Sequence, residues 1–291
     1  MKYPIITPML RSQALLILAA LLIGRAGLHA QTPAAPEPRP KIKETVINGV
    51  EGFQDTPMQP DGLWHVHDPA RPQPPIVKTG EFSEKAPAPS DAVVLFDGHD
   101  LSQWQDKKTG GPVPWNVRDG VAISAKDDIQ TTQSFGDLQL HLEFREPVLH
   151  GRYGQDRGNS GVFLMGRYEI QVLDCYHNPT YADGATGAIY GQHPPLVNAC
   201  RPPGEWQTYD ILFNVPHFDD SGHLLTPAYV TVLQNGVVVQ NHQAIRGDTN
   251  WRVPGSYTPV GSTGPIALQY HNNSVAFRNI WVRPMAVDQE P

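Results

Sequence analysis

The most regular pattern of apolar and polar positions along the chain has period two. Between 137 and 144, Leu138, Leu140, Leu142 and Phe144 alternate with Gln139, His141 and Glu143, which puts the apolar set on one face of a half-buried strand. Residues 229–234 and 237–240 read as strands on either side of Asn235-Gly236, a dipeptide that supplies the two positive φ angles of a type I′ hairpin turn. Further short strand candidates lie at 93–96, 121–124, 161–165, 168–173, 206–213, 265–270 and 276–282, and no long amphipathic helical stripe separates them. Many short strands at close spacing predict an all-β fold, a two-sheet antiparallel jelly-roll sandwich spanning residues 91–285.

Two zones precede this domain. Residues 14–23 form an unbroken apolar stretch behind Lys2 and Arg11, too short to span a bilayer, so residues 1–30 read as a secretory signal peptide with cleavage after Ala30. No cysteine follows to accept a lipid, and no later segment has the length of a membrane span. The expectation is an exported protein, periplasmic or secreted, without an integral membrane segment. Residues 31–90 are rich in proline and lack sustained periodicity; 31–40 reads as a flexible linker, whereas the apolar and aromatic residues at 53–58 and 64–68 predict partial docking on the domain.

Charge narrows the choice of partner. The first thirty residues carry Lys2, Arg11 and Arg25 and no acid, so removing them takes the formal charge from −7 to −10. An acidic chain does not bind through phosphate neutralisation, which argues against nucleic acid and for neutral or polar small molecules. The only cysteines are Cys175 and Cys200. After export they would form either a disulfide or two buried thiols, and neither has the two-residue spacing of a zinc knuckle or redox dithiol.

Candidate chemistry concentrates in three places. On 168–173, Tyr168, Ile170 and Val172 face one way and Glu169 and Gln171 the other; a bulge near Val172-Leu173 would turn Asp174 onto the same face. The spacing E-x-Q-x-x-D is similar to the E-x-D-x-x-E strand of laminarinase-type glucanases, with Gln171 replacing the middle acid. The alternative is a set of solvated polar residues on an outer strand. A proline-rich corner carries Tyr190, Gln192, His193 and Asn198, groups suited to sugar hydroxyls. Near the end, Gln269 and His271 point one way and Arg278 follows on the next strand, which predicts one shared pocket. His65, His67 and Asp68 together make only a weak metal-binding signal.

The runs Leu95-Phe96-Asp97-Gly98-His99-Asp100-Leu101-Ser102-Gln103-Trp104, Gly158-Asn159-Ser160-Gly161-Val162-Phe163, Tyr168 through Asp174, Gly187 through Pro195, Gly204-Glu205-Trp206 and Phe277 through Arg283 occur in the order seen in another group of proteins. Over residues 91–285 the chain resembles the 3-keto-disaccharide hydrolase domain family. The resemblance implies a concanavalin A-like jelly roll, export, and action on glycosides whose C3 hydroxyl is oxidised to a ketone. Tyr270-His271-Asn272 departs from the Asp-His-Gly of many relatives, so no role is carried to residue 270.

A 3-ketone acidifies the C2 proton and makes the C1 oxygen a β leaving group, so cleavage can run by elimination and then hydration. On that expectation Glu169 is the base, His271 an acid/base or metal ligand, and Arg278 an electrostatic stabiliser. Asn159, Gln171, Tyr190, Gln192, His193, Asn198 and Gln269 would bind the oligosaccharide or glycoside. A divalent metal ion could polarise the ketone, although no ligand set is legible. The competing readings are a retaining glycosidase that pairs Glu169 with Asp174, and a non-catalytic carbohydrate-binding module.

Overall fold

The structure, a computed structural model, describes residues 42–285. The signal-peptide and 31–40 linker expectations lie outside these residues. In chain order the strands are β1 Glu44–Ile47, β2 Val50–Phe53, β3 Val93–Phe96, β4 Trp104–Asp106, β5 Asn116–Arg118, β6 Val121–Ile123, β7 Ile129–Phe135, β8 Leu138–Arg145 and β9 Ser160–Leu164. They continue with β10 Tyr168–Val172, β11 Gln207–Asn214, β12 His217–Phe218, β13 Leu224–Thr226, β14 Tyr229–Gln234, β15 Val237–Ala244, β16 Gly264–Leu268 and β17 Ala276–Pro284. No α-helix occurs among the described residues.

Two antiparallel sheets carry the domain. One has five strands in the order β10-β9-β16-β7-β4. The other runs β15-β14-β11-β8-β17-β6-β5, with β3 also on β17. Alternation explains how they meet. Leu138, Leu140, Leu142 and Phe144 of β8 point into a single core shared with Tyr168, Ile170 and Val172 of β10 and with Tyr209, Ile211 and Phe213 of β11. The Tyr209 hydroxyl crosses this core to donate to the Gln171 carbonyl at 2.5 Å. The fold is thus the two-sheet antiparallel jelly-roll sandwich.

At the β14/β15 turn Asn235 and Gly236 take φ of 51° and 77°, as a type I′ hairpin requires. The same device occurs where sequence periodicity offered nothing: Asn48 and Gly49, at φ 51° and 79°, close the β1/β2 hairpin inside the proline-rich zone. Gly52 in that hairpin has no room for a Cβ, because the His67 carbonyl lies against it. Behind the hairpin, residues 56–68 fold against the domain and bury Thr56, Gln59, Val66 and His67. Strand β7, whose sequence IQTTQSF lacks an apolar alternation, is held between β16 and β4 by its backbone.

Candidate active site

Outward-facing residues of the five-stranded sheet form the floor of the principal cavity. Register pairs Glu169 with Phe163 and Gln171 with Gly161, so all four share the face opposite the core. A Cβ on Gly161 would collide with the Glu169 carboxylate; glycine here is what allows the acid to lie flat across the neighbouring strand. The edge of β10 is not left open. Residues 187–190 pair with it, Tyr190 N–H donating to the Glu169 carbonyl at 3.1 Å and Gln171 N–H to the Ala188 carbonyl at 3.0 Å. Thr249 covers the same edge beside Tyr190 by accepting the Glu169 N–H at 3.0 Å.

The resulting cavity, about 540 Å³, is lined by Gln155, Asn159, Phe163, Glu169, Gln171, Tyr181, Tyr190, Thr249, Asn250, Trp251, Gln269 and His271. Glu169 is 6% exposed, and no hydrogen-bond donor among the described residues reaches its carboxyl. Burial, followed by repulsion from Asp128 and only partly offset by Lys107, pushes its pKa up to about 8. Around it the amides form a chain. Gln171 Nε2 donates to Gln155 Oε1 at 3.1 Å, and Asn159 Nδ2 to the Gln155 carbonyl at 2.8 Å. Gln155 is anchored in turn by Thr180 Oγ1 and the Gly184 carbonyl. Gln171 Oε1 and Gln269 Oε1 are buried with no partner among the described residues, leaving two acceptors for hydroxyl donors. The Tyr181 and Tyr190 hydroxyls lie 3.0 Å apart, and burial raises both phenols well above their ordinary value, keeping them neutral donors.

Of the residues singled out by sequence, Asn159, Glu169, Gln171, Tyr190, Gln269 and His271 converge on this cavity, with His271 at its exposed rim. Five do not. Register along β10 runs without a bulge, and Asp174 turns away to pair with Arg157, whose Nη2 donates to it at 3.0 Å. Arg278 sits on the outer face of the other sheet, because β17 belongs to that sheet and Arg278, next to core-facing Phe277 and paired with Glu143, points away from the core. There it binds Glu143 at 2.6 Å and Glu84 at 2.7 Å and lies over the Trp206 ring. Gln192 is buried as a brace, donating to the Gly247 carbonyl and accepting from Arg246 N–H. His193, pushed down to about 4 by burial and then by Arg246 and Arg71, faces Gln243. Asn198 donates to the Cys175 carbonyl and forms a bridge with Ile76.

Sequence reasoning missed Gln155, Tyr181, Thr249, Asn250 and Trp251. Only Trp251, exposed in a turn, carried any signal. The histidine pair at 65 and 67 is also resolved: His65 Nδ1 bonds the Thr56 carbonyl, and His67 Nδ1 meets Asp183 at 3.3 Å. Among the described residues no group of three or more His, Cys, Asp and Glu side chains converges to hold a metal ion. Cys175 and Cys200 are free thiols packed in one cluster with Leu173 and Ala185.

The site is thus an amide-lined cavity centred on an acid, on one sheet face of a jelly roll. The family model for the 3-keto-alpha-glucoside-1,2-lyase-like domain matches residues 91–283, and the chain belongs to that family. A candidate glycosyl hydrolase from Parabacteroides distasonis is 47% identical, with 79% of this chain and 100% of that chain covered at a TM-score of 0.66. A second from the same organism, at 22% identity, 67% and 94% coverage and a TM-score of 0.50, is similar in fold. No curated protein matches the chain. Family and relatives together make this a glycoside-cleaving enzyme.

Proposed function

We propose that the protein is an exported enzyme that cleaves 3-keto glycosides by elimination followed by hydration, with Glu169 as the base. The observation that carries this reading is a buried carboxyl without a hydrogen-bond donor, raised to about 8, at the floor of a cavity otherwise lined by amides and phenols. A base of that strength suits a C2 proton acidified by the neighbouring ketone. Glu169 takes the proton, electron density moves to the C3 oxygen, and the C1–O bond breaks as the enolate collapses. Water then adds across the resulting double bond. The neutral Tyr181–Tyr190 hydroxyl pair is suited to donate to the developing enolate oxygen, the role first expected of Arg278. The free oxygens of Gln171 and Gln269 accept substrate hydroxyls, and His271 at the rim is positioned to protonate the departing oxygen.

Hydrolysis by a Glu169/Asp174 carboxylate pair is disfavoured by the engagement of Asp174 with Arg157, outside the cavity. The deciding assay offers matched native and 3-oxidised disaccharides to the purified protein. Turnover of the oxidised one alone is expected, and equal cleavage of both overturns the elimination route.

A further inference from the structure

Trp251 lines the same cavity as Glu169 and is 53% exposed, so its indole is open to a ligand seated there. Its position is fixed to the base: Thr249, two residues earlier, accepts the Glu169 N–H. The turn is closed by a bridge between Asn250 and Val253, with Arg252 in the left-handed region at φ 61°. Underneath, the indole is propped. Phe53 meets it edge-on at 5.9 Å and 86°, and the Arg252 guanidinium lies 5.4 Å from the indole and 4.6 Å from Phe53. Asp55 holds that guanidinium at 2.7 Å. Phe53 and Asp55 belong to the segment before the domain, so an element outside the family match builds the support for an aromatic surface at the mouth of the cavity.

We propose that Trp251 is a platform for the leaving group: the sugar or aromatic ring attached through the C1 oxygen stacks on the indole while the keto sugar sits over Glu169. The inference rests on the proposed cleavage of 3-keto glycosides and adds which substrates are preferred, namely those with a ring as leaving group over those with a small alkyl group. A pyranose presents an apolar C–H face and an aryl group a π face, and either matches a rigid indole whose rotamer entropy is already spent by Phe53 and Arg252.

The test compares a 3-keto disaccharide with the methyl glycoside of the same 3-keto sugar. Trp251→Ala is expected to raise KM for the disaccharide about tenfold and to leave that for the methyl glycoside within about twofold, while Trp251→Phe retains most of the preference. Phe53→Ala, which removes the prop and leaves the indole, is expected to act in the same direction by a smaller factor. Equal losses on both substrates, or an unaltered protein that does not distinguish them, overturn the platform and leave the base assignment standing. Failure of the unaltered protein to cleave any 3-keto glycoside overturns the proposed function, and the platform with it, before a variant is made.

Discussion

Two buried glutamates on opposite sheets show how environment divides one residue type into two roles. Glu143 on β8 accepts from the Lys85 N–H at 2.5 Å, from Asn279 at 2.9 Å and from Arg278 at 2.6 Å, and His141 stands 3.8 Å away. Burial pushes its pKa up, but these donors outweigh it and hold the carboxyl at about 2. Glu169 on β10 is equally hidden, receives no donor, and sits near 8. The first is a fully satisfied clamp that fastens residues 83–86 to the sheet; His141 extends the clamp through Asp210 at 2.7 Å to Ser83. The second is a group whose missing partner leaves it free for a ligand.

The contrast is broken most directly by Glu169→Gln. It keeps shape but removes the base, so turnover of a 3-keto disaccharide should fall by about 10²-fold or more with ligand binding little changed. Near-native turnover in the folded variant would move the base elsewhere. Gly161→Ala approaches the same loss by displacing the carboxylate, and a crystal structure of the variant should show Glu169 rotated out of the cavity.

Arg278→Leu should do the reverse. Leaving Glu143 buried without its guanidinium should cost roughly 3 kcal/mol of stability in a denaturant titration, while turnover per folded molecule stays native. A loss of turnover instead would return Arg278 to the active site.

The two carboxyls also predict opposite responses to pH. Glu169, raised in the folded state, lends stability that is full below about 4.5 and is lost as pH rises to about 8; the melting temperature of Glu169→Gln relative to the native chain should therefore climb over that interval and level off above it. Turnover, which needs the carboxylate, should rise with pH towards the same value of about 8. Glu143, lowered in the folded state, lends stability present above about 4.5 and lost as pH falls towards about 2. The smallest effect is expected of Asp174→Asn, which should leave turnover within about twofold; a 10²-fold drop would revive the paired-carboxylate mechanism.

Local rules made much of this protein legible. The alternation at 137–144 became β8, Asn235-Gly236 became the hairpin it encodes, and the outward pairing of Glu169 with Gln171 follows from the period of β10 alone. The Asn48-Gly49 hairpin was equally encoded, but the prolines around it masked a four-residue signal. Arg278 was misplaced because β16 and β17, consecutive along the chain, belong to different sheets, and no spacing reveals that crossing.

What the sequence by itself determined is therefore the strands β3, β6, β8–β11 and β14–β17, the fold class and the face on which the acid lies, because each depends on neighbours two residues away. Only the tertiary structure decided which glutamate is clamped and which is free, and that Tyr181, Gln155 and Trp251 join Glu169 in one cavity. A pKa and a pocket depend on donors, desolvation and packing contributed by segments from Phe53 to His271, and no spacing along the chain encodes whether a partner from so far away arrives.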